Sequence, residues 1–103
     1  MEYSEFEWDG EKARSNLKKH GVSFEEAATI FNDPRIATIS DPDHSEDEER
    51  YVSLGMSVIM RLLSVAHTYR KERIRLISAR KATKAEKKSY ENYQEKEKRR
   101  NAR

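Results

Sequence analysis

At Asn32-Asp33-Pro34 the periodicity of this chain changes, and that break decides the class of fold open to it. Before it, apolar residues recur at helical spacing. After it, short segments rich in β-branched residues follow one another between turn signals. Helices and strands kept apart in this way specify an α+β domain. Asp9 is placed to cap a first helix, with Trp8 able to staple onto Ala13. Lys18, Lys19 and His20 suit its last turn, and Gly21 supplies the left-handed stop. Ser23 and Glu26 form a capping box for a second helix from Phe24 to about Phe31, which Pro34 closes.

Beyond Pro34 a first strand is expected over Ile36–Ser40 and a second from Arg50 to about Met56. A third runs roughly from Ile59 to Tyr69, and a hairpin tip at Arg70-Lys71-Glu72 turns it into a last strand beginning at Arg73. The sum is an antiparallel sheet of about four strands. Thr83 with Glu86 makes another capping box, opening a final helix that carries Ala85, Tyr90 and Tyr93. Past Gln94 the run is charged on every side, so residues 1–93 read as one domain and 94–103 as a frayed, solvated tail.

Charge is split along the chain. Residues 1–60 hold 6 Lys/Arg against 14 Asp/Glu, whereas residues 61–103 hold 15 against 5. The basic half fits a polyanion and the acidic half a second, protein-facing surface, although the two could also neutralise each other across the fold. The chain has no cysteine, which excludes disulfides, zinc–thiolate centres and cysteine nucleophiles. P-loop, dinucleotide-fingerprint and nucleophile-elbow patterns are missing. No 18-residue apolar run is present and the N-terminus is acidic, so no membrane association is expected and the cytoplasm is the expected location.

The last strand carries arginines on both faces. Simple alternation puts Arg73, Arg75, Ile77 and Ala79 on one side and Ile74, Leu76, Ser78 and Arg80 on the other. Arg73 and Arg75 near the hairpin tip, with Lys19 and Lys81, are candidates for holding a phosphate backbone. Arg80 lies where the strand gives way to a helix, a place where scaffolds present functional side chains. A guanidinium there can stabilise charge on a phosphate under attack. In the third strand Arg61, Leu63, Val65, His67 and Tyr69 share a side, which is either a working face or the core face. His20 is a helix-terminal cap or a proton shuttle, and Tyr90 is a packing residue or a phenol offered to RNA. The acidic loop Asp41–Glu49 lacks the glycine and terminal glutamate of a calcium loop. No metal or cofactor is expected. Asp43, Glu46, Asp47 and Glu48 are candidates for contact with a basic partner.

Several segments together resemble the BrnT toxins: Phe6-Glu7-Trp8-Asp9, Asn16 to Ala27, Asp41-Pro42-Asp43-His44-Ser45, Glu49-Arg50, and Ile74 to Arg80 with Ala82, Thr83 and Glu86. The resemblance covers roughly residues 5–93. It implies a RelE-like fold and a ribonuclease of a type II toxin–antitoxin system that inhibits translation. It also implies a BrnA-like antitoxin as partner, through which the complex reaches operator DNA. The chemistry so implied is metal-independent attack of an RNA 2′-hydroxyl on its own phosphate, with Arg61 and Arg80 as arginines and His67, His20 or Tyr90 moving protons. A non-catalytic nucleic-acid-binding module, or a toxin-like scaffold without activity, is the competing reading.

Overall fold

The computed structural model describes residues 5–44 and 48–101. Five strands form one sheet in the order β1-β5-β4-β3-β2, where β1 is Phe6–Glu7, β2 Ala37–Ser40, β3 Tyr51–Met56, β4 Leu62–Arg70 and β5 Arg73–Lys81. Three α-helices accompany it: α1 Gly10–His20, α2 Phe24–Ala28 and α3 Lys84–Asn101. The α+β class is as expected, but the sheet is mixed and has one strand more. β1 pairs in parallel with β5, Phe6 opposite Ile74 and Glu7 opposite Arg75. Two residues are too few to show a period of two, so this strand is defined only by the edge it joins.

The helix ends form as their capping residues dictate. The Asp9 carboxylate accepts from the Lys12 amide, and Gly21 closes α1 at φ 71°. Ser23 caps α2, which tightens at Thr29 into a 3-10 helix to Asn32 and so ends as an α-helix sooner than expected. Thr83 and Glu86 bond reciprocally at the start of α3.

Helices α1 and α2 cover one face of the sheet. Val22, Phe24, Ala27 and Ile30 pack there against Leu63, Val65, Ile74, Leu76 and Ala79. Each such side chain, fully buried, contributes on the order of 2 kcal/mol from apolar transfer. The Leu63, Val65 and His67 side of β4 is therefore the core side, and His67 is fully buried. Asn16 ties α1 to β5. Its amide donates to the carbonyls of Val22 and Ala79 at 2.9 and 2.8 Å and accepts from the Ala79 amide at 3.1 Å. The side chain thus pairs β5 where the short β1 no longer reaches.

Two local features break the expected strand pattern. Ser57 to Arg61 is a turn, not the start of β4: the Ser57 amide donates to the Arg61 carbonyl at 2.8 Å, and Met60 takes a left-handed φ of 66°. In β5 the pairing steps from Leu76 opposite His67 to Ser78 opposite Ala66, leaving Ile77 as a bulge. Before the bulge Ile74 and Leu76 face the helices; after it Ala79 does. Ser78 and Arg80 are thereby turned to the opposite, open face, where the unbroken alternation would not have put them beside Arg75.

Candidate active-site cleft

On the open face a cleft of ≈ 320 Å³ runs between the end of β2 and the start of α3. Val52, Ser64, Ala66 and Ser78 line its middle; Ile39, Ser40 and Asp41 stand on the β2 side, and Arg80 and Glu86 on the α3 side. Small residues at these strand positions leave the backbone open to a ligand. The β5 bulge delivers Arg80, opposite Ser64, and the capping box delivers Glu86 one turn into α3.

Arg80 and Glu86 meet as a fork. The Arg80 Nη1 and Nη2 donate to Glu86 Oε1 and Oε2 at 2.8 and 2.9 Å, and Nη1 also donates to the Lys81 carbonyl at 3.2 Å. A guanidinium carries five N–H bonds. Among the described residues, Nε and the second Nη2 hydrogen have no partner, so they remain to meet an anion. The Arg80 guanidinium holds the Glu86 carboxyl below its usual range, against the opposing effect of burial. The pair is ionised at neutral pH.

The other residues singled out in the sequence lie elsewhere. Arg61 is on the helix-covered side: it forms a fork on Glu26, with Nε to Oε2 at 3.0 Å, and its Nη2 donates to the Gly21 carbonyl at 3.1 Å. Ser57 Oγ completes that clamp on Glu26 at 2.7 Å. His67 sits in a ring of Phe31, Tyr51 and Tyr69, with Nε2 2.8 Å from Ser53 Oγ and Nδ1 without a hydrogen-bond partner among the described residues. Burial pushes its pKa down to about 4, so the ring is neutral. Tyr90 is buried at the far side of α3 and donates to Asp33 at 2.6 Å; burial, then Asp33, pushes its hydroxyl up to about 12.

Arg73 and Arg75 stand at the other end of β5 and pair with β1: Arg73 with Glu5 at 2.8 Å, Arg75 with Glu7 at 3.1 Å. A larger depression there, ≈ 840 Å³, mixes Glu5, Glu7 and Glu72 with Arg70, Lys71 and Arg73, so its charges largely satisfy one another. Lys19 and His20 end α1, and Lys81 is exposed at the end of β5. Asp43 is exposed, Glu48 reaches Arg70 at 3.3 Å, and Glu46 and Asp47 lie outside the described residues. Of all these candidates only Arg80 lines the cleft. Asp41, Ser64, Ser78 and Glu86 line the cleft with it and are not among the residues that the sequence marks as site candidates. Glu86 carried a usable signal, because a capping box directly after a strand-terminal arginine brings its carboxylate within reach.

Three comparisons with known proteins bear on this arrangement. The model of the family described as "Ribonuclease toxin, BrnT, of type II toxin-antitoxin system" matches residues 8–86. The fold is similar to the crystal structure, at 1.1 Å resolution, of the Brucella abortus ribonuclease toxin BrnT. The TM-score is 0.57 at 19% identity, covering 78% of this chain and 97% of that one. No curated protein sequence matches.

Proposed function

The chain belongs to the BrnT family of ribonuclease toxins of type II toxin–antitoxin systems, and from that premise we propose that it cleaves RNA in the Arg80 cleft without a metal. The observation that carries the reading is the Arg80–Glu86 fork opening onto a groove floored by small residues. A single RNA strand lies across the open face with its phosphate on the unpartnered Arg80 N–H groups. The 2′-oxygen attacks the adjacent phosphorus, a carboxylate on the opposite wall, Asp41, takes the 2′-hydroxyl proton, and the bond to the 5′-oxygen breaks, that oxygen taking a proton from water to leave as a 5′-hydroxyl. Arg80 stabilises the charge that accumulates on the phosphoryl oxygens. Glu86 is a positioning residue: its lowered pKa makes it a poor base, while its two oxygens fix the plane of the guanidinium.

This assignment makes Arg61 a residue of the scaffold and moves the proton-transfer role from His67 and His20 to Asp41. Lys81 pairs opposite Leu63 and so points to the helix-covered side, away from the Arg80 cleft. We place the activity in the cytoplasm, as a RelE-like toxin that stops translation, held inactive by a BrnA-like antitoxin through which the complex meets operator DNA.

The test is turnover in EDTA. RNA incubated with the purified protein should give fragments ending in 2′,3′-cyclic phosphate and 5′-hydroxyl. RNA that is retarded on a gel yet stays intact would support the second reading, a binding module. That reading draws on one observation, the engagement of Arg80 by the Glu86 carboxylate.

A further inference from the structure

The turn between β3 and β4 has no part in the cleft, yet it is built with unusual care. Val58, Ile59 and Met60 are 72%, 60% and 77% exposed. Single apolar side chains on a surface are ordinary, but three in succession form a patch. The turn that presents them is fixed from several directions. The Met60 amide donates to the Ser57 carbonyl at 2.9 Å, the Val58 amide to Thr29 Oγ1 at 2.9 Å, and Ser57 Oγ to Glu26 at 2.7 Å. Met60 holds φ 66°, a region where glycine or asparagine is at ease and a long apolar side chain is not. Backbone strain of this kind persists where a side chain is needed in a given place.

The surroundings are basic. Arg61 bonds to the Gly21 carbonyl, which ties the base of the turn to the C-terminal end of α1, whose last turn carries Lys18 and Lys19. Lys81 is close enough to Glu26, the anchor of the turn, to act on its carboxyl. Met60 precedes β4 and lies four residues before Ser64, which pairs with Arg80, so the chain puts it no more than about 13 Å from that residue.

We infer that the Val58–Ile59–Met60 turn is the anchor for the antitoxin, accepting an apolar segment of that protein flanked by acidic side chains. The family supplies the existence of such a partner; the rigid apolar knuckle and its lysine surround supply the place and the chemistry. Apolar burial at the centre gives the hold and the charges at the rim give the encounter rate and the orientation. The inference does not depend on Arg80 being catalytic.

The experiment titrates purified toxin variants with the antitoxin encoded alongside it, by calorimetry at two salt concentrations. Ile59→Asp should weaken binding by about 100-fold or more, as expected for a charge placed in an apolar interface centre. Met60→Gly removes the side chain while suiting the left-handed backbone, so it should lose about tenfold in affinity with no fall in melting temperature. Lys18→Glu with Lys81→Glu should slow association and flatten its salt dependence. Affinities of Ile59→Asp and Met60→Gly within about threefold of wild type would overturn the inference. So would sedimentation in which Ile59→Asp turns a dimer into a monomer while antitoxin affinity stays unchanged, since the knuckle would then serve a second copy of this chain. RNA cleavage by free Ile59→Asp toxin should match wild type, which separates failure here from failure of the catalytic reading.

Discussion

Glu86 grips the guanidinium of Arg80 with both carboxylate oxygens, at 2.8 and 2.9 Å, from the first turn of the helix that follows Arg80's strand. Strand, bulge and helix cap therefore converge on one orientation of one arginine. Free of Glu86, the side chain would sample several rotamers across an exposed face, and each productive encounter with a phosphate would have to fix it anew.

Glu86→Gln should cut the RNA cleavage rate about tenfold while leaving the protein folded, because a neutral amide holds only one side of the fork. The KM for RNA should change less than kcat. A KM effect alone would assign the pair to substrate binding.

Arg61→Ala should behave differently. It strips the partner from the Glu26 carboxylate, which lies under the β3–β4 turn with 10% of its side chain exposed. The melting temperature should fall by several degrees, and the folded fraction should cleave RNA at close to the wild-type rate. Loss of cleavage with an unchanged melting curve would put Arg61 back among the catalytic groups.

Asn16→Ala leaves the Ala79 amide and the Ala79 and Val22 carbonyls without partners inside the core. Unsatisfied buried groups of this number cost about 3 kcal/mol, which lowers the melting temperature of a domain this size by roughly 15 °C. Thermal unfolding of the variant checks it, and a shift under about 3 °C would mean water replaces the amide.

His67 makes stability depend on pH. Its folded pKa is lowered to about 4 from 6.5, so between those values the unfolded chain binds a proton that the folded chain refuses. Stability should be full above about pH 7 and fall as the pH drops toward 4, by about 3 kcal/mol over that window. The depressed carboxyls of Glu26 and Glu86 act lower, their stabilisation being lost as pH falls from 4.5 through their folded values. Denaturant titrations of His67→Phe should therefore be flat from pH 7 to 5, where wild type slopes. Equal slopes would locate the titration elsewhere.

Much of the architecture is legible in the chain because helix ends are written locally. Asp9, Gly21, Ser23 and the Thr83–Glu86 pair act within three or four residues, and each occupies the place its chemistry dictates. What is not legible depends on partners far away in sequence. β1 exists only against β5, the bulge at Ile77 only in the register of β4 with β5, and the side of Leu63, Val65 and His67 is settled only by where α2 packs. The run of arginines in β5 shows where cations stand and not what each one meets. Arg61, Arg73, Arg75 and Arg80 each meet a carboxylate, from Glu26, Glu5, Glu7 and Glu86, and none of those pairings follows from spacing apart from the last. Arg80 stands out because its pair opens onto a groove floored by small residues, whereas the depression at Arg73 is walled by charges of both signs.

Cleavage of RNA by means of Arg80 is tested by the single-turnover rate of purified Arg80→Ala in EDTA, with product ends identified and melting temperature recorded alongside. The expected result is a rate lower by about 10²–10³, the cost of removing one electrostatic stabiliser of a developing oxyanion, in a protein that still melts within a few degrees of wild type. A folded Arg80→Ala protein that forms the same cyclic-phosphate ends at an undiminished rate would contradict it.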